Sequence, residues 1–91
     1  MQYVVCYDIT DDARRSRISQ VLLDFGVRVQ ESVFVAHLDA ALAERLRERM
    51  LRVVDQERDR VHMFQICAVC ESKAWVMGDE PVSTDPAYYV I

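Results

Sequence analysis

Between residues 3 and 17 the chain reads YVVCYDITDDARRSR, in which an apolar run, Tyr3 to Tyr7, gives way to Asp8, Asp11 and Asp12 and then to Arg14, Arg15 and Arg17. Carboxylates and arginines this close together can do phosphate chemistry. A hard cation such as Mg2+ takes one or two carboxylates and completes its shell with phosphate oxygens and water. A metal held that way can polarise a phosphodiester and activate water. Arginine binds phosphate bidentately where lysine acts as a point charge, and ten of the eleven cations here are arginines. The plainer account is a strand that meets a capped helix. Asp11 and Asp12 suit the positive end of a helix dipole, whereas Arg14, Arg15 and Arg17 oppose it unless they pair with those acids or hold phosphate. Asp8 stands apart, because it ends the apolar run before the cap begins. A lone aspartate is a poor Mg2+ ligand set, so a second Asp8 from a twofold-related copy would be needed.

A second motif of possible chemistry is CAVC, which pairs Cys67 with Cys70. A zinc site would need a second pair, and His37 and His62 lie at unsuitable spacings. A redox dithiol normally opens a helix after a strand, but this pair lies inside or just after a β-like run. The expectation is therefore structural cysteines, with Cys6 and Cys67 acting as small hydrophobes in apolar runs.

These residues sit in a chain of 91, one domain with a single core. Half the residues are hydrophobic, which excludes a disordered chain. The net charge of −4 argues against a generic nucleic-acid coating protein. Residues 1–60 carry ten of the eleven cations, so any anion-binding surface comes from the first two-thirds. Apolar runs reach only five residues, too short for a membrane span. No signal-like segment follows Met1, which points to the cytoplasm.

The elements that must position the site follow from periodicity. Residues 2–8 read as a buried strand. Thr10 or Asp11 caps a helix over 12–25 with the stripe Ile18, Val21, Leu22 and Phe25, stopped by Gly26. Residues 27–38 alternate, with Arg28 and Gln30 opposite Val27 and Val29, as one bent strand or as two short strands turning near Glu31 and Ser32. Phe34 falls on the opposite parity to Val33 and Val35, which suits a dimer interface or packing beneath helices. Asp39 caps a second helix, about 40–57, with the stripe Leu42, Leu46, Met50, Val53 and Val54 and an i, i+4 pair, Glu48 with Arg52. Its arginine run has the usual reading of a solvated face. Residues 60–69 and 72–78 read as strands, 79–86 as a loop, and the terminal AYYVI as a strand. The order predicts an α+β, ferredoxin-like β-α-β-β-α-β sandwich over 1–78. Residues 79–91 would form a loop and a C-terminal dimerisation strand, added to the partner's sheet in a homodimer.

The stretch YVVCYDITDDARRSRISQVLLDFGVRVQESVFVAHL, followed by QICAVCESKAWVMG, resembles the small CRISPR-associated adaptation proteins of the Cas2 family. The resemblance covers nearly the whole chain. It rests on a strand ending Tyr-Asp-Ile, an acid pair, spaced arginines, the Arg-Val-Gln-x-Ser-Val-Phe segment and the later cysteine pair. It implies a ferredoxin-like symmetric homodimer that takes part in spacer acquisition and bridges dimers of the larger integrase, Cas1. It further implies a Mg2+- or Mn2+-dependent endonuclease acting on RNA or double-stranded DNA, or a non-catalytic DNA-holding adaptor. By position, the metal aspartate falls on Asp8 of both protomers and its neighbouring tyrosine on Tyr7. The functional arginines fall on Arg15, Arg17 and Arg28, and the phenylalanine on Phe34. The residues themselves add Arg14 to the nucleic-acid set. A VapD-like toxin ribonuclease shares the fold and the strand-end aspartate, but the arginine spacing and RVQESVF favour the CRISPR family.

Overall fold

Among the described residues, antiparallel pairing of four strands builds the frame. The computed structural model of the chain describes residues 1–73, the side chain of Glu71 excepted. The elements are β1 (Gln2–Asp8), α1 (Asp12–Leu23), β2 (Val27–Gln30), β3 (Val33–His37), α2 (Ala40–Leu51), β4 (Arg60–Ile66) and α3 (Ala68–Ser72). The sheet order is β2-β3-β1-β4, so β1 lies centrally between β3 and β4. This interleaving, with α1 and α2 as crossovers, is the expected ferredoxin-like α+β plan.

The register sorts the side chains. Tyr3, Val5 and Tyr7 share a face with Phe34 and Ala36 of β3 and with Val61 and Met63 of β4. Onto that face pack Ile18, Val21 and Leu22 from α1 and Leu46 and Met50 from α2. Phe34, Ile18, Leu22, Leu46 and Val5 are its fully buried anchors. Phe34 is thus a core residue beneath the helices, which decides between the two expectations for it. The opposite face carries Val4, Cys6, Val33, His62 and Phe64, none of which joins the core cluster. Phe64 is 52% exposed and Val27 41%.

Local chemistry sets the ends. Asp11 caps α1 by accepting the Arg14 N–H at 2.9 Å, and Asp39 caps α2 by accepting the Leu42 N–H at 2.8 Å. Residues 27–38 form two strands with a turn at Glu31 and Ser32 and a bulge between Arg28 and Gln30. Four expected spans change. Helix α1 ends at Leu23, capped by Asp24. Helix α2 ends at Leu51 rather than 57, with Arg52 as its C-cap, and the Val53 and Val54 N–H groups share the Met50 carbonyl at 3.0 Å. Asp55 then nucleates turns by accepting the Glu57 N–H on its carboxylate at 3.0 Å. The strand expected over 60–69 ends at Ile66, and α3 follows. Ser72 closes that helix, so a strand does not start there. The remainder of the 72–78 strand, the 79–86 loop and the terminal AYYVI strand lie outside the described residues.

The expected Glu48–Arg52 pair is not among the described ion pairs. Arg47 meets Glu44 at 3.0 Å instead, and Arg49 crosses to Asp24 at the end of α1 at 2.9 Å. Gly26 has a different role from helix stopping. A Cβ there would lie 2.2 Å from the Val35 carbonyl oxygen and 2.8 Å from the Ala36 Cβ, so the chain leaving α1 can press against β3 only as glycine. Gly26→Ala is expected to destabilise by about 1–3 kcal/mol, the usual scale of overpacking. A urea titration with an unchanged midpoint would contradict this close approach.

Candidate functional site

Asp8 ends β1 and is exposed. It lies directly opposite Arg60, the first residue of β4, so both side chains leave the sheet on the face that the helices do not cover. Among the described residues the Asp8 side chain makes no hydrogen bond or ion pair. Its carboxylate is therefore available to a ligand from outside the fold. Among the described residues there is also no group of three or more His, Cys, Asp or Glu that could hold a metal. Hard oxygen donors suit Mg2+ or Mn2+, and one chain supplies one such side chain at the open face. The residues fit half of a metal site.

The arginines expected to act together are divided by the structure. Arg14 turns inward. Its Nε donates to Asp59 Oδ2 at 2.8 Å and its Nη2 to Asp59 Oδ1 at 3.1 Å. The Asp59 side chain is 0% exposed. Its Oδ2 also accepts the Asp55 N–H at 2.8 Å. The Arg14 hydrogen bonds hold the Asp59 carboxyl below the usual carboxylate range against the opposing effect of desolvation, and the same bonds raise Arg14 in turn. Arg14 is thus a strut between α1 and the entry to β4, with its Nε and Nη2 engaged by Asp59. Its distance to the expected partner Asp11 is 3.9 Å, while Asp59 takes both forks.

Arg15 braces the loop behind Asp8. Its Nη1 donates to the Ile9 carbonyl at 3.1 Å and to the Thr10 carbonyl at 3.3 Å, and its Nη2 pairs with Asp12 as expected. Arg17 is exposed and has no partner among the described residues. Arg28 donates to the Glu31 carbonyl at 2.7 Å and to the Ser19 hydroxyl, with its guanidinium 4.9 Å from the Phe34 ring centre. The Tyr7 hydroxyl donates to the same Glu31 carbonyl at 3.0 Å, and Tyr7 stacks on Phe34 at 6.2 Å. Tyr7, Arg28 and Phe34 therefore come together as a clamp on the β2–β3 turn. Tyr7 and Arg28 line an open groove of about 450 Å3 that also includes Arg15, Ser16 and Ser19. The register places Arg28 opposite Phe34 on the helix side of the sheet, not on the Asp8 face.

Two residues of the Asp8 neighbourhood, Asp59 and Arg60, carry no signal in the sequence pattern around the motif. Their nearest mark is the Asp55-x-x-x-Asp59 spacing, legible only once α2 is known to stop at Leu51. The cysteines also depart from expectation. Cys67 and Cys70 are exposed rather than packed, because β4 ends before them and they open α3. The Cys70 N–H lies 3.5 Å from Cys67 Sγ, and that contact lowers the Cys67 thiol while Cys67 raises Cys70. This is the strand-then-helix placement usual for redox pairs.

The family model for CRISPR associated protein Cas2 matches residues 1–74. The chain is 37% identical to CRISPR-associated endoribonuclease Cas2 1 of Chloroflexus aurantiacus, with 100% of each chain covered. It is 41% identical to CRISPR-associated endonuclease Cas2 2 of Thermus thermophilus, covering 88% of this chain and 84% of that one. The Cas2 structure from Streptococcus pyogenes superposes with a TM-score of 0.76 at 22% identity over 86% of this chain and 100% of that one, a likeness of fold. A chain of a partial Cas6-RT-Cas1–Cas2 complex matches with a TM-score of 0.56 at 26% identity, covering 70% and 78%.

Proposed function

The chain belongs to the CRISPR-associated protein Cas2 family, and on that premise we propose that it acts in CRISPR adaptation as a homodimeric, metal-dependent endonuclease on phosphodiester bonds of RNA or double-stranded DNA. The observation that carries this reading is Asp8, an exposed strand-end carboxylate without an internal partner among the described residues, on the open face of the sheet. The relatives named endoribonuclease and endonuclease support it. Asp8 from both protomers would hold Mg2+ or Mn2+, which when bound supplies charge stabilisation and an activated water.

A second copy is called for by two features. The open face exposes Phe64 and Val27, apolar surface that a twofold copy would cover while carrying its own Asp8 to the same interface. Among the described residues β4 is an edge of a four-stranded sheet, and AYYVI supplies a segment of strand-like composition for a partner's edge. On this reading the chain divides into a 1–78 domain and a 79–91 dimerisation segment. Arg17, with Arg15 beside it, binds backbone phosphates. Arg28, Tyr7 and Phe34 shape the turn that borders the groove. The larger partner is the integrase Cas1, as in the assembly named for the similar complex. No described helix is long and apolar enough to cross a membrane, and the proposed location is the cytoplasm.

The other reading is a non-catalytic adaptor that holds DNA between integrase dimers. It is favoured by the single carboxylate that each chain offers at the open face, with no larger ligand cluster among the described residues. Incubating the protein with labelled RNA and duplex DNA, with Mg2+ and with EDTA, separates the two. Metal-dependent cleavage is expected. Binding without cleavage under both conditions would leave the adaptor. In either case Arg17→Glu is expected to weaken duplex binding about tenfold or more, since an attraction to phosphate becomes a repulsion. An unchanged dissociation constant by fluorescence anisotropy would remove Arg17 from the binding face.

A further inference from the structure

We infer that Arg60 is a phosphate-binding residue of the Asp8 site, taking a non-bridging oxygen of the phosphodiester. This role rests on the endonuclease reading for its substrate but on the fold for its geometry. Arg60 is exposed and stands directly across the β1–β4 ladder from Asp8. Residues opposed in this way have Cβ atoms about 5 Å apart. Opposite charges at that spacing ordinarily close into a cross-strand pair, yet among the described residues no ion pair joins these two. Instead Arg60 Nη1 donates to the carbonyl of its neighbour Asp59 at 3.1 Å.

That hydrogen bond holds the guanidinium on the neighbouring backbone rather than on the Asp8 carboxylate. It uses one of the five N–H donors of arginine, and among the described residues the rest have no partner. The anchor is itself fixed, because the Asp59 carboxylate is clamped by both forks of Arg14 and by the Asp55 N–H. The buried strut therefore preorganises the cation, so that little ordering cost remains when it binds. Charge points the same way. A divalent cation on Asp8 would repel an arginine on the adjoining strand unless an anion lay between them. A phosphodiester bound to the metal is such an anion, and the planar fork of arginine matches it.

The test compares wild type, Arg60→Ala and Arg60→Lys, with Asp8→Ala as the cleavage-dead reference. For each, Mg2+-dependent cleavage of labelled nucleic acid and the salt dependence of binding in EDTA are measured, with thermal unfolding as a check on folding. Arg60→Ala is expected to lower kcat/KM about 10–100-fold. It is also expected to make the slope of log affinity against log salt shallower by about one, the value for a single phosphate left unneutralised. Arg60→Lys should restore the slope, because the charge returns, but only part of the rate, because the fork does not. An Arg60→Ala slope equal to wild type in a folded protein would overturn the inference. Should wild type cleave nothing, the nuclease reading fails, while the slope still decides whether Arg60 holds a phosphate.

Discussion

Asp8→Ala is expected to remove metal-dependent cleavage, by about 10²–10³-fold or more, the scale seen when one essential electrostatic group is taken from a site. The fold should survive. Asp8 is exposed at a strand end, and among the described residues its side chain makes no hydrogen bond or ion pair that its removal would break. Unfolding midpoints should match wild type, and duplex binding should persist, because the outward Arg17 is untouched. Asp8→Asn makes a sharper comparison, since it keeps the shape but removes the charge that a hard cation needs. Cleavage by Asp8→Ala at the wild-type rate would end the catalytic assignment and leave the adaptor reading.

The second large effect lies in the buried strut. Arg14→Ala is expected to be the most destabilising single change at any arginine of the first helix. It leaves the Asp59 carboxylate, 0% exposed, without its bidentate partner. By contrast, Arg47→Ala breaks an exposed pair with Glu44 and should barely register. Replacing both members, as Arg14→Met with Asp59→Leu, should recover much of the stability, because an apolar pair leaves no stranded charge. The pH dependence has a definite sign. Asp59 is held below its ordinary range in the folded state by the Arg14 hydrogen bonds, so its contribution is complete above the unfolded carboxylate value, near pH 4. It is lost as pH falls through the folded value. Urea midpoints measured downward from pH 5 should therefore fall less steeply in Asp59→Asn than in wild type. Parallel acid limbs would show that the pair carries no proton linkage. Because the same strut supports Arg60, Arg14→Ala should also weaken cleavage in whatever fraction remains folded.

The parts of this molecule legible in its sequence are those set by short-range pattern. β1 could be read from an unbroken β-rich run that ends at Asp8, and α1 from one cap and one apolar stripe. The ferredoxin-like order followed from the succession of elements. The 27–38 segment stayed ambiguous because its alternation fits one strand or two. What settles it is the Glu31 carbonyl, which accepts from Arg28 within the turn and from Tyr7 across a long sequence separation. The end of α2 was hidden because Val53 and Val54 continue the apolar stripe beyond the helix, packing against the core from a turn. The arginines show the same limit. Arg14, Arg15 and Arg17 look alike in sequence, and only the placement of Asp59, 45 positions from Arg14, sets the inward Arg14 apart from the exposed Arg17. Arg60 is not legible in the sequence, because its position depends on lying opposite Asp8, a fact of strand register.

Mixed dimers decide whether one metal is shared by two copies of Asp8, as proposed. Wild-type and Asp8→Ala chains, one carrying a tag, are unfolded together, refolded at equal ratio and assayed for Mg2+-dependent cleavage of labelled nucleic acid. If each site needs both carboxylates, only wild-type homodimers cut, and random pairing leaves about one quarter of the activity of an all-wild-type sample. The purified mixed dimer should be inactive and should show no Mg2+ binding by calorimetry. Activity near one half, carried by mixed dimers that cut at half the wild-type rate, would contradict the shared site and return Asp8 to work within a single chain.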